Sequence, residues 1–207
     1  MKNNRSGQAA IISDRDYAKI RSEIKSKKYK LLFDIARYTG ERWGCIIQLK
    51  FGDVFSEGRV KDNIIFRSST RKASPDGKRH TREVPIHPHL EEMLGAYTSG
   101  NSDDCIFPGP GWSDQPISLR AADFILRAAI DRAGLTHKGY STHSTRRTFI
   151  TRLWEKGVDI HLVQKITGHQ DLKSLIRYVE CNPDLIKQAI ANLWNYLKIW
   201  SCKLLSF

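Results

Sequence analysis

The chain has 207 residues, which is enough for one well-cored domain with short appendages and too few for two full-sized domains. Apolar residues make up 40% of it, with no run of eighteen apolar residues and no signal-peptide apolar region, so a membrane span is excluded and we expect a cytoplasmic protein. The net charge is +12, and residues 1–82 hold 20 basic and 9 acidic side chains, a bias typical of proteins that bind nucleic-acid phosphates but also of a solvated basic face.

The first forty residues predict two helices. Residues 1–12 show no periodicity, and we expect a flexible basic lead-in there. Ser13 suits an N-cap before an acidic first turn, so the first helix should begin near Asp14. A second helical face stops at Gly40, a residue that suits the left-handed position after a helix. Arg42 follows almost at once, so we expect it on a sharply defined backbone.

The pattern then changes from helices to strands. Asn63–Phe66 and Glu83–Ile86 are short β-type runs, and the segment between them contains the turn sequence Pro75-Asp76-Gly77. We therefore predict a small antiparallel hairpin with a strongly positive tip. The basic side chains of this loop are Arg71, Lys72, Lys78 and Arg79.

Helical patterns dominate the remainder, and the predicted fold class is α+β, mainly α-helical, with a small antiparallel sheet in the N-terminal third. The domain division is a lead-in at 1–12, one helical domain at 13–182, and a C-terminal helix with a tail at 183–207. The predicted helices cover His87–Tyr97, the segment from the cap Ser118 to Gly134, the segment from Ser141 or Thr142 to Gly157, the segment from Asp159 to Gly168, and a last helix opening at Asn182-Pro183-Asp184.

The stretch from Ser141 to Tyr178 gathers the residues of a candidate phosphate site. His143 and Arg146 are three apart and share a helix face, but such a pair alone occurs by chance. The pair becomes significant together with other residues, because Arg42, a lysine of the hairpin loop and His169 complete the set of candidate phosphate-binding side chains. Tyr178 follows His169 by nine residues.

These side chains suit the transfer of a DNA phosphodiester to a tyrosine. Paired guanidiniums bind the non-bridging oxygens of a transition state with extra negative charge. A tyrosine hydroxyl has a pKa near 10, so cations and a histidine must help it to lose its proton. A lysine on a mobile loop can protonate the leaving 5′ oxygen. No metal or other cofactor is required, and a zinc site using His169 and Cys181 is the less favoured interpretation of those two residues.

The motifs together resemble the catalytic domain of the tyrosine recombinases, the phage-integrase family, over roughly residues 13–182. Thr39-Gly40-Glu41-Arg42 resembles the box of the first catalytic arginine, His143–Arg146 resembles the His-x-x-Arg box, and Thr167-Gly168-His169 resembles the Leu-Gly-His box. The catalytic residues that the resemblance implies are Arg42, Lys72, His143, Arg146, His169 and Tyr178, with Lys78 as the alternative to Lys72.

The resemblance implies an enzyme that cleaves and rejoins double-stranded DNA through a 3′-phosphotyrosyl link, as a homo-oligomer, a tetramer on paired sites. Its last helix either packs within the chain or docks on a neighbouring protomer. The residues expected to touch DNA are Arg71, Lys78, Arg79 and Arg147, the last as a solvated or phosphate-touching residue.

Two departures from the family pattern are the reason for considering an alternative function. Cys45 stands three residues after Arg42, where the family usually has an acidic residue that supports the arginine. Only about a dozen residues precede the catalytic fold, where the family usually has an N-terminal helical domain. The alternative is a DNA-binding remnant or regulator without catalysis. A type IB topoisomerase acting alone would share the chemistry of the first interpretation.

Overall fold

The structure is a computed structural model, and it describes residues 9–71, 77–97, 100–111, 114–169 and 172–176 together with positions 187, 190 and 191. Helices are the main regular structure of these residues and strands are few and short, in agreement with the predicted fold class. They are α1 (Asp14–Glu23), α2 (Lys27–Thr39), α3 (Trp43–Ile46), α4 (Pro88–Gly95), α5 (Leu119–Arg132), α6 (Thr142–Glu155), α7 (Ile160–Thr167) and α8 (Leu172–Ile176).

Local sequence signals set the ends of several helices. The Ser13 side chain accepts a hydrogen bond from the backbone N of Asp16 at the start of α1. Asp159 caps α7 by accepting from the backbone nitrogens of its first turn. Gly40 and Gly168 follow α2 and α7 in the left-handed conformation, with φ of 60° and 65°. The helix starts and ends predicted at these four positions are confirmed.

The hydrophobic core is centred on α2, which contacts helices on two sides. Helix α2 packs on α6 and α4, and α1 packs on α5. Phe33 and Ile35 of α2 are completely buried, as are Phe66 and Phe107 from other segments. A second small cluster, formed by Ile150 of α6, Val163 of α7 and Leu175 of α8, holds these three helices together.

Four short strands form two antiparallel pairs. Strand β1 (Phe55–Ser56) pairs with β2 (Arg59–Val60), and β3 (Asn63–Phe66) pairs with β4 (Arg82–Pro85). The second pair is the predicted hairpin, with β4 beginning one residue earlier than predicted. The first pair was not predicted, because two-residue strands leave no alternation to detect. The tip of the hairpin, residues 72–76, lies outside the described residues.

The end of the expected lead-in is packed against the fold. Ile12 is 2% exposed, and its backbone N donates to Thr148 Oγ1 of α6 at 2.8 Å. The Ala9 carbonyl accepts from Arg147 Nη1 at 2.9 Å. Residues 9–12 therefore differ from the flexible lead-in expected for residues 1–12. The predicted C-terminal helix and tail lie outside the described residues, except at positions 187, 190 and 191.

Within the described ranges, no helix has the length and apolar character that a membrane crossing needs.

Candidate active site

The turn after α2 fixes the backbone that presents Arg42. Gly40 adopts φ +60°, and a Cβ added to it would lie 2.3 Å from Phe149 Cδ1 of α6, so both the conformation and the space exclude a side chain. Glu41 turns inward and is completely buried. Arg42 is the N-cap residue of α3, and its side chain is exposed. The sharply defined backbone expected at Arg42 is therefore present.

The first turns of α6 bring two more predicted residues to the same place. Ser141 precedes the helix, and its backbone N donates to Ser144 Oγ at 3.0 Å. His143 lies in the first turn and is exposed, whereas Arg146, one turn later, is 5% exposed. Arg42, His143 and Arg146 line one cavity of about 380 Å³, which Trp43, Cys45 and Thr70 also line.

Arg146 is held by backbone and side-chain contacts from three segments. Its Nη1 donates to the Gly40 carbonyl at 2.8 Å, and its Nη2 donates to the Thr167 carbonyl at 3.1 Å. The same Nη2 lies 3.1 Å from Nε2 of His169, which follows the end of α7. The guanidinium therefore joins the end of α2 to the end of α7 and fixes the position of His169 beside it.

The contacts of His169 define its tautomer. Thr167 Oγ1 donates to the Val163 carbonyl at 2.7 Å, so this hydroxyl must accept from His169 Nδ1, which lies 2.6 Å away. Nδ1 therefore holds the proton, and Nε2 presents its lone pair towards Arg146. Burial, followed by the charges of Arg146 and Arg42, lowers the pKa of His169 to about 3. The ring is therefore neutral near pH 7.

A buried carboxylate, that of Glu41, lies next to the two arginines that the sequence predicts to be catalytic. Glu41 Oε2 accepts from Arg82 Nη1 at 2.7 Å and lies 3.6 Å from Arg71 Nε. Glu41 Oε1 accepts from the backbone N of Arg42 at 2.8 Å and lies 3.7 Å from Arg146 Nη1. Burial raises the pKa of Glu41, but the charges of Arg82 and Arg146 and the hydrogen bonds from the Arg42 backbone and from Arg82 together lower it further, so the carboxyl is ionised. These side chains form the Glu41 cluster, which consists of Glu41, Arg71, Arg82 and Arg146.

Arg82 is a site residue that sequence reasoning missed. It donates to Glu41, to the Thr39 carbonyl at 3.0 Å and, through Nε, to the Ile166 carbonyl at 2.8 Å. Arg82 is the first residue of β4, and its side chain lies on the buried face of the strand, as does that of Val84. An arginine on the buried face of an alternating strand is the sequence signal that would have identified it.

Of the four residues expected to contact DNA, two are exposed and two are buried. Lys78 and Arg79 are exposed at the base of the hairpin loop. Arg71 is 8% exposed, and its Nη2 would lie 2.6 Å from a Cβ on Gly168. Arg147 is 7% exposed and is not the solvated residue that the sequence indicates, because it donates to the Ala9 carbonyl instead.

Two predicted catalytic residues, Lys72 and Tyr178, lie outside the described residues. Across the part of the chain that the structure describes, no three His, Cys, Asp or Glu side chains are grouped so that they could hold a metal ion.

Comparison with known proteins gives a match over most of the chain. The model of the phage integrase family matches residues 12–184. Tyrosine recombinase XerD of Corynebacterium glutamicum is 33% identical over 159 residues, which cover 77% of this chain and 50% of that protein. The chain spans about half the length of such relatives.

Solved structures share the fold. The crystal structure of XerA recombinase superposes with a TM-score of 0.69 at 20% identity, over 91% of this chain and 66% of that one. XerH recombinase, solved as a post-cleavage complex with its palindromic difH substrate, superposes with a TM-score of 0.63 at 22% identity, over 93% of this chain and 55% of that one.

Proposed function

The chain belongs to the phage integrase family, and we propose that it is the catalytic part of a site-specific recombinase that cleaves and rejoins DNA through a 3′-phosphotyrosyl link. The observation that carries this proposal is the convergence of residues far apart in sequence. Arg42, His143 and Arg146 line one cavity, and His169 lies 3.1 Å from Arg146. XerH, which shares the fold, was solved with a DNA substrate, and this supports DNA as the partner.

The proposed reaction exchanges one phosphoester for another. The Tyr178 hydroxyl oxygen forms a bond to the scissile phosphorus while the bond from phosphorus to the 5′ oxygen breaks. The tyrosine loses its proton to a base, and the leaving 5′ oxygen gains a proton from Lys72, or from Lys78. Rejoining is the reverse reaction with a 5′ hydroxyl as the nucleophile. The number of phosphoester bonds is unchanged, so the reaction needs no energy source.

The arginines would stabilise the charge that develops on the phosphate. The Glu41 cluster contains three guanidiniums and one carboxylate, an excess of two positive charges, and Arg42 adds a third at the cavity wall. Arg146 is already fixed by the Gly40 and Thr167 carbonyls before any ligand arrives. A preorganised cation needs no rearrangement during the reaction, which is the main source of electrostatic catalysis.

His169 is suited to proton transfer once the phosphate is bound. Its pKa is lowered to about 3 by burial and by the neighbouring arginines, so the free protein presents a neutral ring. A phosphate anion beside it offsets the arginine charges and raises that pKa towards the usual value. A phosphate that binds Arg146 also draws its Nη2 away from His169 Nε2, and the freed lone pair can then accept the proton of Tyr178.

Recombination requires more than one active site. We infer that protomers assemble as a tetramer on paired DNA sites in the cytoplasm, and that each protomer contributes one Tyr178. Relaxed circles as the product would instead identify a topoisomerase acting alone.

A nicked suicide duplex tests the proposal. On cleavage it releases a short fragment that carries the 5′ hydroxyl, so rejoining fails, the covalent protein–DNA adduct accumulates, and the adduct can be resolved on a denaturing gel. The wild-type protein should form the adduct, and Tyr178→Phe should form none. Tyr29→Phe is the control, because it makes the same chemical change at another tyrosine, and it should match the wild type. Equal adduct from wild type and Tyr178→Phe contradicts the proposal. Binding without any adduct supports the DNA-binding remnant.

A further inference from the structure

We propose that Glu41 is a positioning residue for the reaction, and that its carboxylate holds Arg146 and Arg82 where the phosphate and His169 need them. The inference rests on the proposed function and extends it to a residue with no direct contact to the reacting atoms.

The contacts of Glu41 reach both sides of the site. Its Oε1 accepts from the backbone N of Arg42 at 2.8 Å and lies 3.7 Å from Arg146 Nη1. Its Oε2 accepts from Arg82 Nη1 at 2.7 Å. One carboxylate is therefore linked to the backbone of the first catalytic arginine, to the guanidinium of the second, and to the arginine that joins β4 to α7.

Arg82 extends the effect of Glu41 to the segment of His169. Its Nε donates to the carbonyl of Ile166, three residues before His169, at 2.8 Å. Its Nη2 donates to the carbonyl of Thr39, at the end of α2. A shift of Arg82 would therefore move the end of α7 relative to Arg42.

Charge explains why the carboxylate is needed. Arg71, Arg82 and Arg146 are 8%, 6% and 5% exposed, so water screens their mutual repulsion weakly. Glu41 is the carboxylate that all three share. Without its charge, the guanidiniums would repel one another, and the outermost would move towards the cavity. Arg146 would then lose the position that its bonds to Gly40 and Thr167 define.

Position 45 does not supply this charge. Cys45 lines the same cavity as Arg146, and its thiol donates to the Thr70 carbonyl at 3.3 Å. Burial and the charge of Glu41 raise the pKa of Cys45 to about 11, so the thiol is neutral. A glutamate introduced at position 45 would extend into the cavity near the same arginines, which offers a route to rescue.

Asp34 provides a matched control. It is also on the α2 side of the core, is 0% exposed like Glu41, and binds a guanidinium, that of Arg21, at 2.8 Å. Its contacts, with Tyr17 and Arg21, belong to α1 and not to the site. Asp34→Asn therefore removes a buried, arginine-paired charge without touching the arginines of the cavity.

The experiment measures three quantities for each variant: DNA affinity, the single-turnover rate of adduct formation on the nicked duplex with protein in excess, and the melting temperature. Glu41→Gln should keep DNA affinity within about threefold of the wild type and lower the adduct rate by about 10- to 100-fold, because a displaced catalytic group is costly while the positive charge that attracts DNA is not reduced. Asp34→Asn should lower the melting temperature and leave the adduct rate of the bound protein unchanged. Adding Cys45→Glu to Glu41→Gln should restore part of the rate.

Each other outcome has a defined meaning. A wild-type adduct rate in Glu41→Gln overturns the inference, and so does a parallel loss of affinity, rate and melting temperature that Cys45→Glu does not reverse. If Glu41→Gln does not fold, Glu41→Asp keeps the charge but withdraws it from Arg82 and Arg146, and its adduct rate should fall about 3- to 10-fold. A wild-type rate in that variant overturns the inference as well. Absence of adduct from the wild type contradicts the proposed function itself, and the role of Glu41 in the reaction falls with it.

Discussion

Arg146 Nη2 lies 3.1 Å from His169 Nε2, across 23 residues of sequence, and this contact connects the buried arginines to the proposed proton-transfer group. The arginine donates and the neutral imidazole accepts. The pair therefore couples the position of the ring to that of the guanidinium, and a change in either side chain should affect both phosphate binding and proton transfer.

Arg146→Lys should lower the adduct rate by about 100-fold or more, because one ammonium cannot replace two guanidinium nitrogens that bind Gly40, Thr167 and His169 together. The measurement is single-turnover cleavage of the nicked duplex. Arg152→Lys is the control on the same helix, since its ion pair with Asp14 is at the surface and should matter little to stability or rate. Similar rates for both variants would show that Arg146 does not act on the phosphate.

Stability should depend on the protonation of His169. Its folded-state pKa, about 3, lies below the unfolded value near 6.5, so between these limits the unfolded chain binds more protons and stability falls as the pH falls. The slope is at most about 1.4 kcal/mol per pH unit and smaller here because the ring is partly exposed. Denaturant unfolding of wild type and His169→Gln at pH 7, 6, 5 and 4 measures it. The difference between their unfolding free energies should shrink towards pH 4, and a constant difference would exclude a lowered pKa.

The residues of the site that follow local rules could be predicted from the sequence. Gly40 and Gly168 were identified as helix ends, and the hairpin was identified from strand alternation and turn residues, because each signal spans only a few positions. Arg42, His143 and Arg146 line one cavity, and their catalytic roles stay a prediction.

The Glu41 cluster could not be predicted in the same way. Arg82 meets Glu41 across 41 residues and Ile166 across 84, so no local pattern reports these contacts. Arg71 and Arg147 come from basic runs, which composition assigns to solvent, but the fold buries both against carbonyl groups. The burial of an arginine is stable only where hydrogen-bond acceptors surround its guanidinium, and the tertiary structure brings those acceptors together.

Gly40→Ala should destabilise the protein more than the same change at another left-handed glycine. The positive φ costs about 1 to 2 kcal/mol at either position. At Gly40 the new Cβ would also meet Phe149 Cδ1 at 2.3 Å, which adds about 2 kcal/mol of overpacking. Gly134→Ala is the control, because at φ +69° no described atom lies within 4 Å of its added Cβ. Chemical denaturation compares the two variants, and equal losses would contradict the close approach of α6.

Arg79 and Arg147 should have different effects on DNA binding. Arg79 is exposed at the hairpin loop, so Arg79→Ala should weaken binding and reduce the slope of log affinity against log salt by about 0.9, the contribution of one neutralised phosphate. Arg147 is buried and donates to the Ala9 carbonyl, so Arg147→Ala should lower the free energy of unfolding by about 1 to 3 kcal/mol and leave the salt slope of the folded protein unchanged. Fluorescence anisotropy at several salt concentrations and chemical denaturation measure the two quantities. A reduced salt slope in Arg147→Ala, measured where the variant is folded, would mean that this side chain reaches the phosphates after all.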